Sequence, residues 1–236
     1  MTLTLSDAVL QRRQFSLAVN KNLRRTTILQ TLPPYISKDK IAVDVGGATG
    51  HITCFLAEHA HSVVSYEAVE PVFFQLKKMM DRYDNVTAFN AAVSNFDGTS
   101  TFFVDDKRLS NSGFQDLVGG QEVRANVLKL DTAFKRRERP VGFIKIDVEG
   151  TEIDVLEGAK EIIATNRPNM MIEIYEPYTK KPLGGIFKLL MKDGYKCAYW
   201  DCKLMELVEV KSPVDGVDAV KYLHKRHDGD FLFYAT

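Results

Sequence analysis

Acidic side chains stand at the ends of apolar runs in this chain, several of them beside glycine turns. Asp44 lies in Ile41–Val45 and is followed by Gly46-Gly47-Ala48-Thr49-Gly50, with His51 directly after. Glu67 closes the run from Ser62, 21 residues after Gly46. Asp147 ends the run from Val141, and Glu149 and Glu152 follow across Gly150. Glu173 interrupts Met171-Ile172-Glu173-Ile174. A glycine loop that opens a helix lets backbone N–H groups approach an anionic ligand group. The spacing here is not Gly-x-Gly-x-x-Gly, and the Asp44 carboxylate would oppose a pyrophosphate while welcoming a positively charged group. An acid at the end of the second strand can accept from both hydroxyls of a ribose. Clustered carboxylates raise one another's pKa, which suits a general base near neutral pH or a divalent cation.

These residues need elements to position them. Ile41–Val45 reads as a strand, and Ile52, Phe55, Leu56 and His59 give the next segment a helical period, with Thr49 as candidate N-cap. Ser62–Glu67 is a second strand, and Pro71 opens a second helix. Val86–Val93 is a third strand; Gly98–Val104 and Val123–Leu130 follow as strands, joined by the polar loop Asp105–Glu122. Val141–Asp147 is almost continuously apolar, the mark of a strand buried on both faces, and one helix carries Ile153, Leu156 and Ile163. Met170–Tyr175 is a strand, Ile186–Met191 a helix, and Tyr195–Trp200, Lys203–Val208 and Phe231–Tyr234 are strands. Strand–helix alternation implies a mostly parallel sheet with helices on both faces, and the late pair without a helix between implies an antiparallel edge hairpin. Residues 5–30 suit one or two helices, ended by Pro33-Pro34. The chain therefore divides into an N-terminal helical segment, 1–36, and a main domain, 37–236.

The strings Asp44-Val45-Gly46 with Gly50, Glu67, and Lys145 to Ala159 (KIDVEGTEIDVLEGA) together resemble the FkbM family of S-adenosylmethionine (SAM)-dependent methyltransferases. The resemblance runs from Ile41 to Tyr175, and its second string is the most specific part. It implies a Rossmann-like class I methyltransferase fold with a seven-stranded sheet, and SAM as methyl donor with S-adenosylhomocysteine (SAH) as product. Asp44, Gly46, Gly47, Gly50, Glu67, Asn90, Ala91 and Asp147 are then the expected donor-binding residues, with Asn90 and Ala91 near the base. Glu70 rivals Glu67 for the ribose. Asp147, Glu149 and His51 are the catalytic candidates, with Glu173 a further one at the rim. His51 also suits a solvated first helical turn, and Glu149 and Glu152 also suit the start of a helix. The stretch Arg108–Phe114 matches a substrate-side loop of the family. The chain departs from the pattern at Ala48, where the family has Asn, and at Glu67-Ala68, where it has Glu-Pro. The implied acceptor is a hydroxyl on a small molecule, such as a sugar or polyketide-like product. Rival readings are N-methylation, a macromolecular acceptor, and a non-catalytic SAM-binding module.

Composition narrows the partners. Lys plus Arg and Asp plus Glu both number 31, so no excess positive charge drives nucleic-acid binding. The run Lys135–Arg139 reads as a solvated helix end rather than a binding patch. Cys54, Cys197 and Cys202 form no disulfide framework and read as reduced thiols of a cytoplasmic protein. Cys197 and Cys202 with His224 and His227 lack zinc spacing. The acids lack a His-rich ligand set, so a catalytic metal is not favoured. No apolar stretch reaches the ~20 residues of a membrane span.

Overall fold

The structure, a computed structural model, describes residues 27–104, 112–114, 120–175, 182, 184–201, 203–225 and 229–235. Most of the N-terminal segment, most of the Arg108–Phe114 loop, Cys202 and His227 lie outside these residues. Residues Thr27–Thr31 and Pro33–Tyr35 form two short 3-10 turns, which bury Ile28, Leu29, Leu32 and Ile36 against the main sheet.

The first half alternates strand and helix: β1 (Ile41–Val45), α1 (His51–His59), β2 (Ser62–Glu67), α2 (Glu70–Met80) and β3 (Val86–Asn90). Three strands follow, β4 (Ala92–Val93), β5 (Gly98–Val104) and β6 (Gln121–Leu128), then α3 (Leu130–Phe134) and β7 (Val141–Ile146). The second half runs α4 (Glu152–Glu157), α5 (Lys160–Asn166), β8 (Asn169–Glu173), α6 (Gly184–Lys192), β9 (Tyr195–Asp201), β10 (Glu206–Val210), α7 (Pro213–His224) and β11 (Asp230–Ala235). The main sheet has the order β10-β9-β11-β8-β7-β1-β2-β3. The pairs among β8, β7, β1, β2 and β3 are parallel; β11 is antiparallel to both its neighbours, and β9–β10 is the antiparallel edge hairpin. This is the expected α/β fold, with eight strands in place of seven because β10 extends the edge.

Several local expectations change. The third strand ends at Asn90, and Ala92–Val93 turns away to pair with β6 in a separate sheet, β4-β6-β5. Thr49 is not the N-cap of α1: Gly50, at φ +92°, holds that position with no side-chain cap. The helix after β7 is two helices. Asp131 accepts from the N–H groups of Glu161 and Ile162, both at 3.0 Å, and so caps α5. The break falls at Gly158, where a Cβ would meet the Ser94 carbonyl oxygen at 2.0 Å. Helix α7 was not anticipated, although Ser212 before Pro213 is a start signal; its Oγ accepts from the Asp215 N–H at 3.2 Å.

Strand alternation divides the core into two layers. Val43, Val45, Ile144, Ile146, Met170 and Ile172 share a buried cluster with residues of α4–α7. On the opposite face Ala42, Phe143 and Met171 pack with Phe55 and Leu56 of α1. Asp44, Lys145 and Glu173 continue this second row. The row thus turns from apolar to ionisable toward the carboxyl ends of the strands, where ligands of such sheets bind.

Candidate active site

A cleft of ≈ 330 Å³ opens at those carboxyl ends. One wall comes from Gly46, Ala48 and Thr49, another from Glu67 to Val69, and a third from Asp147 to Glu149 and Thr151. Ala91, Ala92, Phe102 and Phe114 supply an apolar floor. Phe102 and Phe114 meet edge-on at 5.3 Å, so the small sheet contributes half of this aromatic pair.

The glycine loop is shaped by contact more than by ligand access. Gly46 has φ +79°, and a Cβ on it would fall 1.9 Å from the Asp147 carbonyl oxygen. Both strain and clash demand glycine there. A Cβ on Gly47 would meet Ser65 Oγ at 2.3 Å, and one on Gly50 would meet Leu76 and Met80 at 2.9 Å. Of the three, Gly46 lines the cleft; Gly47 and Gly50 let the loop settle on β2 and α2.

Glu67 is 8% exposed and lines the cleft. Its carboxylate accepts from the Ala48 N–H at 2.9 Å and the Val69 N–H at 2.8 Å. Each oxygen keeps lone-pair capacity for a further donor. Burial raises its pKa against those two bonds. Glu70, by contrast, is exposed in the first turn of α2 and does not line the cleft. Asn90 does not line it either: its amide donates to the Glu67 and Ala68 carbonyls at 2.9 and 3.1 Å, which fixes the turn after β2. Ala91 is a lining residue, as expected of a position against a flat group.

Asp44 lies behind the glycine loop rather than on the cleft. It is fully buried, accepts from Thr53 Oγ1 at 2.5 Å, and has Lys145 Nζ 3.4 Å from its Oδ1. Burial raises its pKa despite Lys145. The expected direct contact with a ligand ammonium is therefore closed off in this arrangement. His51 opens α1 and is not among the lining residues.

Asp147, Glu149 and Glu173 converge, with carboxylate oxygens all within 4.8 Å of one another. That spacing also suits a divalent cation. Burial opposes ionisation of Asp147, but Lys145 Nζ at 3.3 Å and a hydrogen bond from Glu173 hold its pKa below the ordinary value. Glu173 carries the complementary proton: burial, then the Asp147 charge, push its pKa up to about 11. Glu149 is raised to about 8 by burial, Asp147 and Glu152. It adopts φ +55°, rare for a residue with a side chain, and its Oε2 is buried without a hydrogen-bond partner. Glu152 has a different task. It is buried, and its carboxylate accepts from the Gly150 N–H at 2.9 Å, which locks the turn that displays Glu149.

Lys145 was the main omission of the sequence reading. Its signal was a charge inside an otherwise apolar strand, which implies a buried partner. Phe102 was also missed from the apolar floor, because it lies on a strand far along the chain from the glycine loop, whereas Ala91 and the loop that ends at Phe114 were expected near the cleft.

The sheet is Rossmann-like, with a glycine-loop cleft at its carboxyl edge and the antiparallel β11 set between β8 and β9. The family model of the methyltransferase FkbM domain matches residues 44–197, well over half of the chain, and the chain belongs to that family. Among solved structures, methyltransferase FkbM from Methylobacillus flagellatus KT is 17% identical with a TM-score of 0.54. The match covers 84% of this chain and 44% of that one, so the chain spans less than half the length of that relative. A Streptococcus mutans protein, solved in complex with SAH, is 11% identical with a TM-score of 0.50, over 90% of this chain and 97% of that one. At these identities the likeness is one of fold. No match was found among curated protein sequences. Among the described residues no helix is long and apolar enough to cross a membrane.

Proposed function

We propose that the chain is a SAM-dependent methyltransferase acting on a hydroxyl of a small molecule, such as a sugar or polyketide-like product. The supporting observation is the single cleft shared by Gly46, Glu67, Asp147 and Glu149. Its chemistry fits the donor. Glu67 offers acceptor capacity for ribose hydroxyls, Asp147 an ionised carboxylate for an ammonium, and the floor around Ala91 an apolar bed for a base. Asp44 is structural in this reading: it packs behind the glycine loop beside Lys145 and does not meet the donor. SAM supplies an electrophilic methyl group on a sulfonium. The protein's main contribution is alignment, worth up to ~7–11 kcal/mol in favourable cases.

Glu149 is the general base in this reading. Glu149 lines the cleft with an Oε2 that has no hydrogen-bond partner, and its pKa of about 8 leaves part of the population ionised near neutral pH. The hydroxyl proton passes to Glu149 as the acceptor oxygen bonds to the methyl carbon and the carbon–sulfur bond breaks, leaving SAH. Asp147 stays ionised, and Glu173 holds its proton toward Asp147. The reading assigns no metal, since Lys145 already offsets charge beside Asp147. Small polar acceptors suit an acid-lined cleft; a polyanionic nucleic acid does not.

Incubation with methyl-labelled SAM and fractionated metabolite pools tests the reading. Label should appear in a product whose ether bond survives base and whose formation yields SAH. Label on nitrogen would move the acceptor class, and SAM binding without turnover in any pool would favour the inert module.

A further inference from the structure

Lys145 sits where β7 otherwise carries apolar side chains: Phe143, Ile144 and Ile146 are all at most 1% exposed. The Lys145 side chain itself is 5% exposed. An ammonium this deep is costly unless its partners compensate. Its Nζ donates to the Gly46 carbonyl at 2.5 Å and lies 3.4 Å from Asp44 and 3.3 Å from Asp147. One hydrogen bond and two ion pairs thus surround the ammonium. Gly46 and Asp147 both line the cleft, whereas Lys145 lies behind them.

The two turns already touch through the backbone. The Asp147 N–H donates to the Val45 carbonyl at 3.1 Å, and Gly46 packs directly on the Asp147 carbonyl. The backbone contact sets their separation, and the Gly47 N–H bond to the Tyr66 carbonyl fixes the peptide plane that carries the Gly46 carbonyl. The Asp147 carboxylate turns on its own side-chain torsions, with the Glu173 hydrogen bond on one side. Lys145 ties that carboxylate to the fixed Gly46 carbonyl from behind and so holds the Asp147 wall against the glycine loop.

We propose that Lys145 is a positioning residue for the methyl donor: by bridging the Gly46 carbonyl to the Asp147 carboxylate it orients the two walls that grip the amino-acid end of SAM. The proposal rests on the SAM-binding reading above. It predicts a split between ligands. SAH carries the amino-acid end; 5′-methylthioadenosine has the same base, ribose and sulfur but lacks it. Lysine acting only as a core brace would affect both alike.

Calorimetry with SAH and 5′-methylthioadenosine, on wild type, Lys145→Met, Asp44→Asn and the double variant, provides the test. Lys145→Met is expected to weaken SAH at least tenfold and to leave 5′-methylthioadenosine within about twofold. Should the stranded Asp44 charge unfold the single variant, the same split is read between Asp44→Asn and Asp44→Asn/Lys145→Met, which keeps no carboxylate at position 44. Equal losses for both ligands, or none for either, overturn the proposal. So does loss of SAH binding in Asp44→Asn alone, which would put the contact on Asp44. A wild type that binds neither ligand instead overturns the SAM reading itself.

Discussion

Asp44 and Asp147 present the same residue type near the ends of adjacent parallel strands, almost equally far from the same ammonium. Lys145 Nζ lies 3.4 Å from one and 3.3 Å from the other. Their surroundings nevertheless differ. The Asp44 side chain is 0% exposed and its pKa is raised; the Asp147 side chain is 36% exposed and its pKa is lowered. Register explains the contrast. Asp44 pairs with Lys145 inside the ladder, and Val45 pairs with Ile146, so Asp147 falls one step beyond the last strand pair. One residue of offset converts a buried structural carboxylate into one that lines the cleft. A shared cation does not give its partners a shared role; solvent access and the neighbouring donors divide them.

The largest expected effect breaks the contact between the two turns. Gly46→Ala combines positive φ with a clash against the Asp147 carbonyl, and should cost about 2–6 kcal/mol of unfolding free energy. Urea denaturation measures this, and a variant as stable as wild type would contradict the packing described. Glu149→Gln keeps the shape of the acidic turn but removes the carboxylate proposed as the base. It should lower kcat by about 10²- to 10⁴-fold while SAH affinity, measured by calorimetry, stays within about threefold. Asp147→Asn and Asp44→Asn sharpen the comparison directly. The first should weaken SAH about 10- to 100-fold, the loss of one charge-assisted bond, with little change in melting temperature. The second should do the reverse, costing about 1–3 kcal/mol of stability with SAH affinity nearly kept.

The smallest effect is in pH. Glu149 accepts a proton only when ionised, and its pKa is raised to about 8. The sign follows: kcat should rise with pH, close to tenfold per unit below the inflection, and level off above about 8. A profile already flat from about pH 6 would assign the base elsewhere.

The succession of β1, α1, β2 and α2, the buried β7 and the β9–β10 hairpin were legible because each depends on local periodicity and on proline or glycine at its ends. Glu67, Gly46, Ala91, Asp147 and Glu149 were legible as cleft residues because a strand end followed by a turn must lie on the ligand edge of such a sheet. His51, Gly47, Gly50 and Asn90 carried similar marks, yet none of them lines the cleft. Sequence spacing shows that a residue is near the loop, but the direction of its side chain depends on what packs beneath. Asn90 illustrates this: its amide is consumed by the Glu67 and Ala68 carbonyls. The departure of Ala92–Val93 into a second sheet was hidden because pairing with β6 is a contact across the chain.

The sequence by itself determined the family, the strand–helix rhythm and the edge on which the acids gather, since these follow from apolar periodicity and short motifs. Tertiary structure alone decided which acids have their pKa raised and which lowered. Ionisation depends on burial and on distances between β1, β7 and β8, and those are set by strand register and the Lys145 side chain, not by neighbours along the chain.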